Sequence, residues 1–282
     1  MRIKDALRKM YENVNPTPVL LPKGEKTWYY PSAVYVEQYK EMLEAPHLLI
    51  AGTSGSGKST VLNGILMTAM ALYAPCDAQF ILIDPKIVEL AQYKKLPHVL
   101  DFVTESKDVP DVLERVNDYM NEEYMRMERK GIRQSNGTHL YLFIDELADL
   151  MISDEKRTIQ RLLQRILAKG RASNIHVIAC TQAPNRKVIP AELVLNFTNR
   201  VALRCLNSIE SRQIINQSGA EKLIGYGKAF YLSPKNGITE LNGIPFYSDG
   251  EIDEMVSFWV GQDDTKYANI YVPERKPFWK IV

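Results

Sequence analysis

Five stretches of this chain are built largely from consecutive apolar residues: 48–51, 79–84, 140–146, 175–181 and 201–206. Apolar runs of this length, bounded by turn residues and acids, read as strands buried on both faces. The segments between them change period. Over Asp108 to Lys130, Val112, Val116, Tyr119, Met120, Tyr124 and Met127 recur every three or four residues, the signature of an amphipathic helix. Thr60 to Leu72, Ile159 to Ala172 and Asp249 to Val260 also read as helices. Strands alternating with helices predict an α/β fold, a mostly parallel central sheet flanked by helices. Ahead of it, residues 1–15 suit a short helix with Ile3, Leu7, Met10 and Tyr11 on one face, broken by Pro16, Pro18 and Pro22. A further short helix is expected over Val34 to Leu43.

The first run feeds directly into Gly52-Thr53-Ser54-Gly55-Ser56-Gly57-Lys58-Ser59, which matches G-x-x-x-x-G-K-[ST]. Three glycines let the backbone fold tightly enough to turn successive N–H groups toward phosphate oxygens. The helix that follows, through Thr60, adds the positive end of its dipole. Lys58 would reach the β- and γ-phosphates of ATP, and the Ser59 hydroxyl would ligate Mg²⁺.

Leu140 to Glu146 ends in two carboxylates. At the carboxyl end of a parallel strand such acids lie beside the phosphate loop. Asp145 then suits the second Mg²⁺ ligand, and Glu146 the base that orients or deprotonates the attacking water. The run 175–181 ends in Thr181-Gln182, whose amide is placed either to sense the γ-phosphate or simply to cap a turn. Arg200 just before the last run, Arg204 within it and Arg212 beyond it are each a solvated charge or an arginine that reaches a neighbouring subunit's nucleotide.

Composition narrows the picture little. The formal net charge is +1, so any nucleic-acid contact must come from local clusters or from assembly of several subunits. Candidate clusters are Arg126 to Arg133 and Arg157 to Arg171, with solvated helix faces as the alternative. The spacing of Cys76, Cys180 and Cys205 suits no metal site, and reduced thiols in a cytoplasmic protein are expected. The N-terminus lacks a signal peptide, and the longest apolar-rich run, Val61 to Ala74, is too short to span a bilayer.

Beyond the phosphate loop, the chain resembles the FtsK/SpoIIIE group of RecA-like, ATP-driven double-stranded DNA translocases. The resemblance rests on segments in shared order over roughly residues 45–260. They include Leu82-Ile83-Asp84-Pro85-Lys86, Leu96-Pro97-His98, Ile144-Asp145-Glu146-Leu147-Ala148-Asp149 and Gly170-Arg171-Ala172. Ala179-Cys180-Thr181-Gln182, Asn196-Phe197 with Arg200-Val201-Ala202, Ser211-Arg212 and Gly219-Ala220-Glu221 continue the series. The resemblance implies a RecA-like motor domain over residues 46–262, between an N-terminal extension (1–45) and a tail (263–282). It further implies a homo-oligomeric ring, expected to be a hexamer, around duplex DNA, with ATP between subunits, Gln182 as γ-phosphate sensor, and either Arg200 or Arg212 acting in trans.

Two departures stand out. Ala183-Pro184 follows Gln182 where the family often has Arg-Pro, and Gly225-Tyr226-Gly227-Lys228 replaces Gly-Arg-Gly-Asp. No membrane-spanning region or winged-helix module is expected in this length, which suggests a minimal motor of a plasmid, conjugative element or phage, with a membrane or relaxosome protein as partner. A protein-secretion motor and a nucleotide-dependent assembly module are the competing readings.

Overall fold

The computed structural model describes residues 39–261 apart from 183, 186, 187 and 226, together with the backbone of residues 21–23 and 26–28. The helix expected over residues 1–15 and the tail from residue 263 lie outside the described residues. Strands β1 (Leu21–Lys23) and β2 (Lys26–Trp28) form a separate antiparallel hairpin.

The main sheet has eight strands in the order β10-β9-β8-β3-β7-β6-β4-β5. Six run parallel: β3 (His47–Ala51), β4 (Ala78–Ile83), β5 (Val99–Val103), β6 (His139–Ile144), β7 (Ile175–Thr181) and β8 (Asn199–Ala202). The hairpin β9 (Lys228–Ser233) and β10 (Gly237–Asn242) continues it antiparallel from β8. The helices are α1 (Lys58–Leu72), α2 (Val109–Lys130), α3 (Leu147–Ser153), α4 (Thr158–Lys169), α5 (Ala191–Asn196), α6 (Ser208–Ile215) and α7 (Asp249–Val260).

Successive side chains of a strand point to opposite faces, and two cores follow from that alternation. Leu48, Ile50, Phe80, Leu82, Tyr141, Phe143, Ile178 and Cys180 face α1 and α7. Leu49, Ile81, Ile83, Leu142, Ile144, Val177 and Ala179 face α2, α4 and α5. Both faces are covered, which is why the parallel strands read as unbroken apolar runs. A smaller cluster under β8 and β9 is closed by Ile214 and Ile215 of α6.

Helix α1 is buried almost all round, including Gly64 and Thr68. A Cβ at Gly64 would fall within the ring of Tyr39, which belongs to a helical turn over residues 39–43. Glycine inside a helix costs roughly 0.5–1 kcal/mol relative to alanine, and here it admits a buried tyrosine whose hydroxyl donates to Pro245 O at 3.1 Å. Residues 39–45 therefore pack into the core of the motor fold. Of the helix expected over Val34 to Leu43, the described part is this turn.

Candidate active site

The chemistry gathers at the carboxyl edge of the sheet. β3 delivers the phosphate loop, β4 ends at Asp84, β6 at Asp145 and Glu146, and β7 at Thr181-Gln182. Because β7 lies between β3 and β6, the strand end bearing Gln182 separates the loop from the acid pair.

The loop is shaped by its glycines at two points. Gly57 caps α1 with φ 105°, a left-handed conformation that disfavours a side chain. Gly52 has no room for one, since a Cβ would lie 2.6 Å from Ser56 Oγ and 2.8 Å from Leu203 Cβ. Leu203 and Arg204 follow β8, and Arg204 O accepts from Thr53 N at 2.9 Å, so the segment after β8 braces the loop. The Lys58 ammonium donates to Gly52 O at 3.1 Å and to Thr53 O at 2.9 Å.

Three observations fit this loop to a nucleoside triphosphate. The first turn of α1 has no side-chain cap and no acid, leaving its N–H groups to an external acceptor. The Ser56 hydroxyl is buried with no hydrogen-bond partner. Lys58 lies within electrostatic reach of Cys180, Glu146, Asp145 and Glu89, which oppose the lowering of its pKa by burial.

Burial, then Asp84, Glu89 and Glu146, push the Asp145 carboxyl up to about 6, against the pull of Lys86. A cation held there would relieve that crowding. Among the described residues no group of three or more His, Cys, Asp or Glu is arranged to hold a metal. The donors Ser59 and Asp145 suit Mg²⁺, which takes one or two protein oxygens and draws the rest from water and substrate phosphate.

Glu146 is 3% exposed and serves as N-cap of α3. Its Oε1 accepts from Ala148 N at 3.2 Å, and both carboxylate oxygens accept from Gln182 N, at 3.2 and 3.1 Å. The base candidate and the backbone of the sensor candidate are thus directly joined.

The candidate arginines separate. Arg200 is 6% exposed, with Nε donating to Phe197 O at 2.7 Å and Nη1 to Ile214 O at 2.9 Å, so its guanidinium is engaged inside its own subunit. Arg212 stands exposed on α6. Two acids of the site were not assigned roles from sequence. Asp84 is fully buried and accepts from the N–H groups of Lys86, Val88 and Leu90, fixing the loop after β4, while Glu89 on that loop acts on both Lys58 and Asp145. An acid closing an apolar strand, the signal that exposed Asp145, also marks Asp84.

Among the described residues no helix is long and apolar enough to cross a membrane. The chain is 32% identical over 254 residues to DNA translocase FtsK of Lactococcus lactis subsp. cremoris, matching 83% of this chain and 33% of the relative. It is 30% identical over 277 residues to DNA translocase FtsK of Agrobacterium fabrum, again matching 83% of this chain and 31% of the relative. The chain therefore spans about a third of the length of these curated relatives. Among solved structures it resembles the pCW3 conjugation coupling protein TcpA, determined with ATPγS, at TM-score 0.68 and 19% identity, covering 88% of this chain and 72% of that one. It also resembles the cytoplasmic domain of the Thermomonospora curvata type VII secretion ATPase EccC, at TM-score 0.65 and 20% identity, covering 78% and 28%. These likenesses establish a RecA-like P-loop ATPase fold. The model of the FtsK/SpoIIIE family matches residues 3–142 and 136–186, and this chain belongs to that family.

Proposed function

We propose that this chain is an ATP-hydrolysing motor subunit that moves duplex DNA. The observation that carries the reading is the convergence, in an FtsK/SpoIIIE family member, of an uncapped helix start, Lys58 and a paired acid at one sheet edge.

In this reading Gly52 and Thr53, whose N–H groups donate to Thr181 O and Arg204 O, fix the start of the loop, N–H groups between Ser54 and Thr60 hold the phosphates, and Lys58 neutralises the β- and γ-oxygens. Ser59 and Asp145 would hold Mg²⁺, which would supply charge neutralisation at the transferring phosphoryl group. Glu146 orients water and takes its proton as the water oxygen bonds to the γ-phosphorus and the β,γ-bridging oxygen departs with ADP. A carboxylate offers about four lone-pair sites, so its N–H partners leave Glu146 an acceptor for that water. Gln182, bonded through its backbone to Glu146, couples the γ-phosphate to the base.

Subunits form a homo-oligomeric ring, taken as a hexamer, in which Arg212 reaches the neighbour's nucleotide. Its exposure supports this role over Arg200, and exposed Leu206 (77%) and Ile209 (62%) give the same region apolar surface for an intersubunit contact. The setting we propose is cytoplasmic DNA transfer, maintenance or packaging for a mobile element, with a membrane or relaxosome protein as partner. The likeness to EccC bears on fold and leaves a secretion motor as the second reading.

Steady-state ATP hydrolysis with and without linear duplex DNA tests the proposal. Wild type should be stimulated by the duplex, and Glu146→Gln should bind ATP without turning it over. Hydrolysis indifferent to DNA would favour the secretion reading, and no hydrolysis under any condition would favour an assembly switch.

A further inference from the structure

Helix α4 carries a ridge of cations outside the site described above. Arg157, Arg161, Arg165 and Lys169 follow one another at intervals of four residues, all exposed, and exposed Arg171 follows the helix. Residues four apart are neighbours on a helix surface. At 1.5 Å per residue the ridge is ~18 Å long.

Three features of α4 are unfavourable within the isolated subunit. The helix, Thr158–Lys169, contains no acid, although bases and acids nearly balance over the chain at 35 and 34. Its like-charge pairs at i,i+4 therefore repel without internal compensation. Among the described residues none of the five cations pairs with an acid within 4.0 Å; the side-chain partner recorded for the ridge is Asn121 Oδ1, 2.9 Å from Arg165 Nη2. At the helix start Arg157 adopts the left-handed conformation (φ 54°), strained for a non-glycine residue. It also sets a positive charge at the positive end of the helix dipole. Two of the N–H groups there are already satisfied, since Asp154 accepts from Thr158 N at 2.7 Å and from Gln160 N at 2.8 Å. The binding character of α4 thus resides in its side chains.

An external polyanion relieves the repulsion, supplies the missing counter-charge and offsets the cation at the helix start, while the backbone of Arg157 stays as it is. We infer that the α4 ridge is a phosphate track for duplex DNA, contacting the backbone without reading sequence. This rests on the DNA-motor reading above. The adjacent α2 sharpens the track's edge: Asp111, Glu114, Asp118 and Glu122 lie exposed on it, and would repel a duplex that strayed from α4.

Counterion release makes the track measurable, because each phosphate contact contributes about −0.9 to the slope of log affinity against log salt. Binding of the full chain to a fluorescent duplex would be followed from 50 to 300 mM NaCl with a non-hydrolysable ATP analogue present. Arg161→Gln/Arg165→Gln should flatten the slope by about 1.8 and weaken binding about 60-fold at 0.1 M salt. Arg161→Lys/Arg165→Lys should keep the wild-type slope, and Lys94→Gln/Lys95→Gln, which neutralises exposed lysines elsewhere, should leave it unchanged. The glutamine variant removes i,i+4 repulsion, so its melting temperature should not fall, and a lost slope then reports contact and not misfolding.

An unchanged slope and affinity in the glutamine variant, with wild type still stimulated by DNA, overturns the track and leaves the motor reading standing. Wild type that neither binds nor responds to duplex DNA overturns both. If sedimentation shows that the glutamine variant loses assembly while its subunits keep the wild-type slope, the ridge is a contact between copies, with acidic α2 as the partner face, and the track is refuted.

Discussion

Replacing Arg200 with alanine removes a buried guanidinium that donates to Phe197 O and Ile214 O. Hydrogen bonds from a charged donor contribute about 1.5–3 kcal/mol each, and carbonyls left buried without a partner carry the desolvation penalty. Two such bonds put the cost at about 3–6 kcal/mol. At about 2.1 cal/mol/K of unfolding entropy per residue, that lowers the melting temperature of a chain of this size by roughly 5–10 °C. Ile214 lies on α6, so the same loss loosens the helix that presents Arg212. Arg212→Ala removes an exposed side chain. It should leave the melting temperature within about 1 °C while lowering turnover by about 10³-fold or more, the scale of an intersubunit arginine. Thermal melts of both variants, paired with ATPase assays at 15 °C on folded protein, separate the roles. Arg200→Ala should retain turnover within about tenfold at that temperature, which is about 1.4 kcal/mol of transition-state stabilisation. An Arg200→Ala protein as stable as wild type but inert, beside a fully active Arg212→Ala, would refute this division.

Other perturbations read different parts of the fold. The Asp145 carboxyl is raised from 3.8 to about 6, so the folded state binds its proton more tightly and loses stability as pH rises from 3.8 through 6. Asp145→Asn should therefore stabilise the nucleotide-free protein at pH 7 by about 1 kcal/mol, allowing for its partial exposure, with the gain gone below pH 4 and turnover abolished. Chemical denaturation across pH checks this, and a variant less stable than wild type at pH 7 contradicts it. Burial lowers His47 to about 3, and His98 and His176 to about 4. Their contribution is complete above the unfolded pKa of about 6.5 and is lost as pH falls toward those values, at up to ~1.4 kcal/mol per pH unit for each proton. Replacing His98 and His176 together with glutamine should flatten acid unfolding by about two protons, and an unaltered pH slope would show that these rings do not drive it.

Most of the parallel sheet was legible because buried strands must be apolar on both faces, and 175–181 and Asp249–Val260 match β7 and α7 residue for residue. The edges were not. β5 contains Asp101, which pairs with Arg115 at 2.6 Å, and a half-exposed edge strand leaves no continuous apolar run. β9 and β10 lie at the other margin, where alternation is diluted by polar positions. The strand expected over 201–206 is instead Asn199–Ala202, and its start was hidden because Asn199 and Arg200 are buried polar residues whose partners come from elsewhere in the chain: Tyr231 OH donates to Asn199 Oδ1 at 3.1 Å. Long-range pairing also explains residues 39–45, assigned from sequence to the N-terminal extension, since Tyr39 meets Gly64 and Pro245 only in the folded chain. In the site, the loop and the acid pair follow from motif and strand position. The choice between Arg200 and Arg212 depends on burial, which no local pattern reveals.

Movement along DNA is the central claim, and displacement of a third strand from a duplex tests it most directly. With ATP, wild type should release a triplex-forming oligonucleotide bound ahead of it on linear duplex DNA. Lys58→Ala, or ADP in place of ATP, should leave the triplex intact. Hydrolysis stimulated by duplex DNA with no displacement in either orientation of the triplex would contradict translocation.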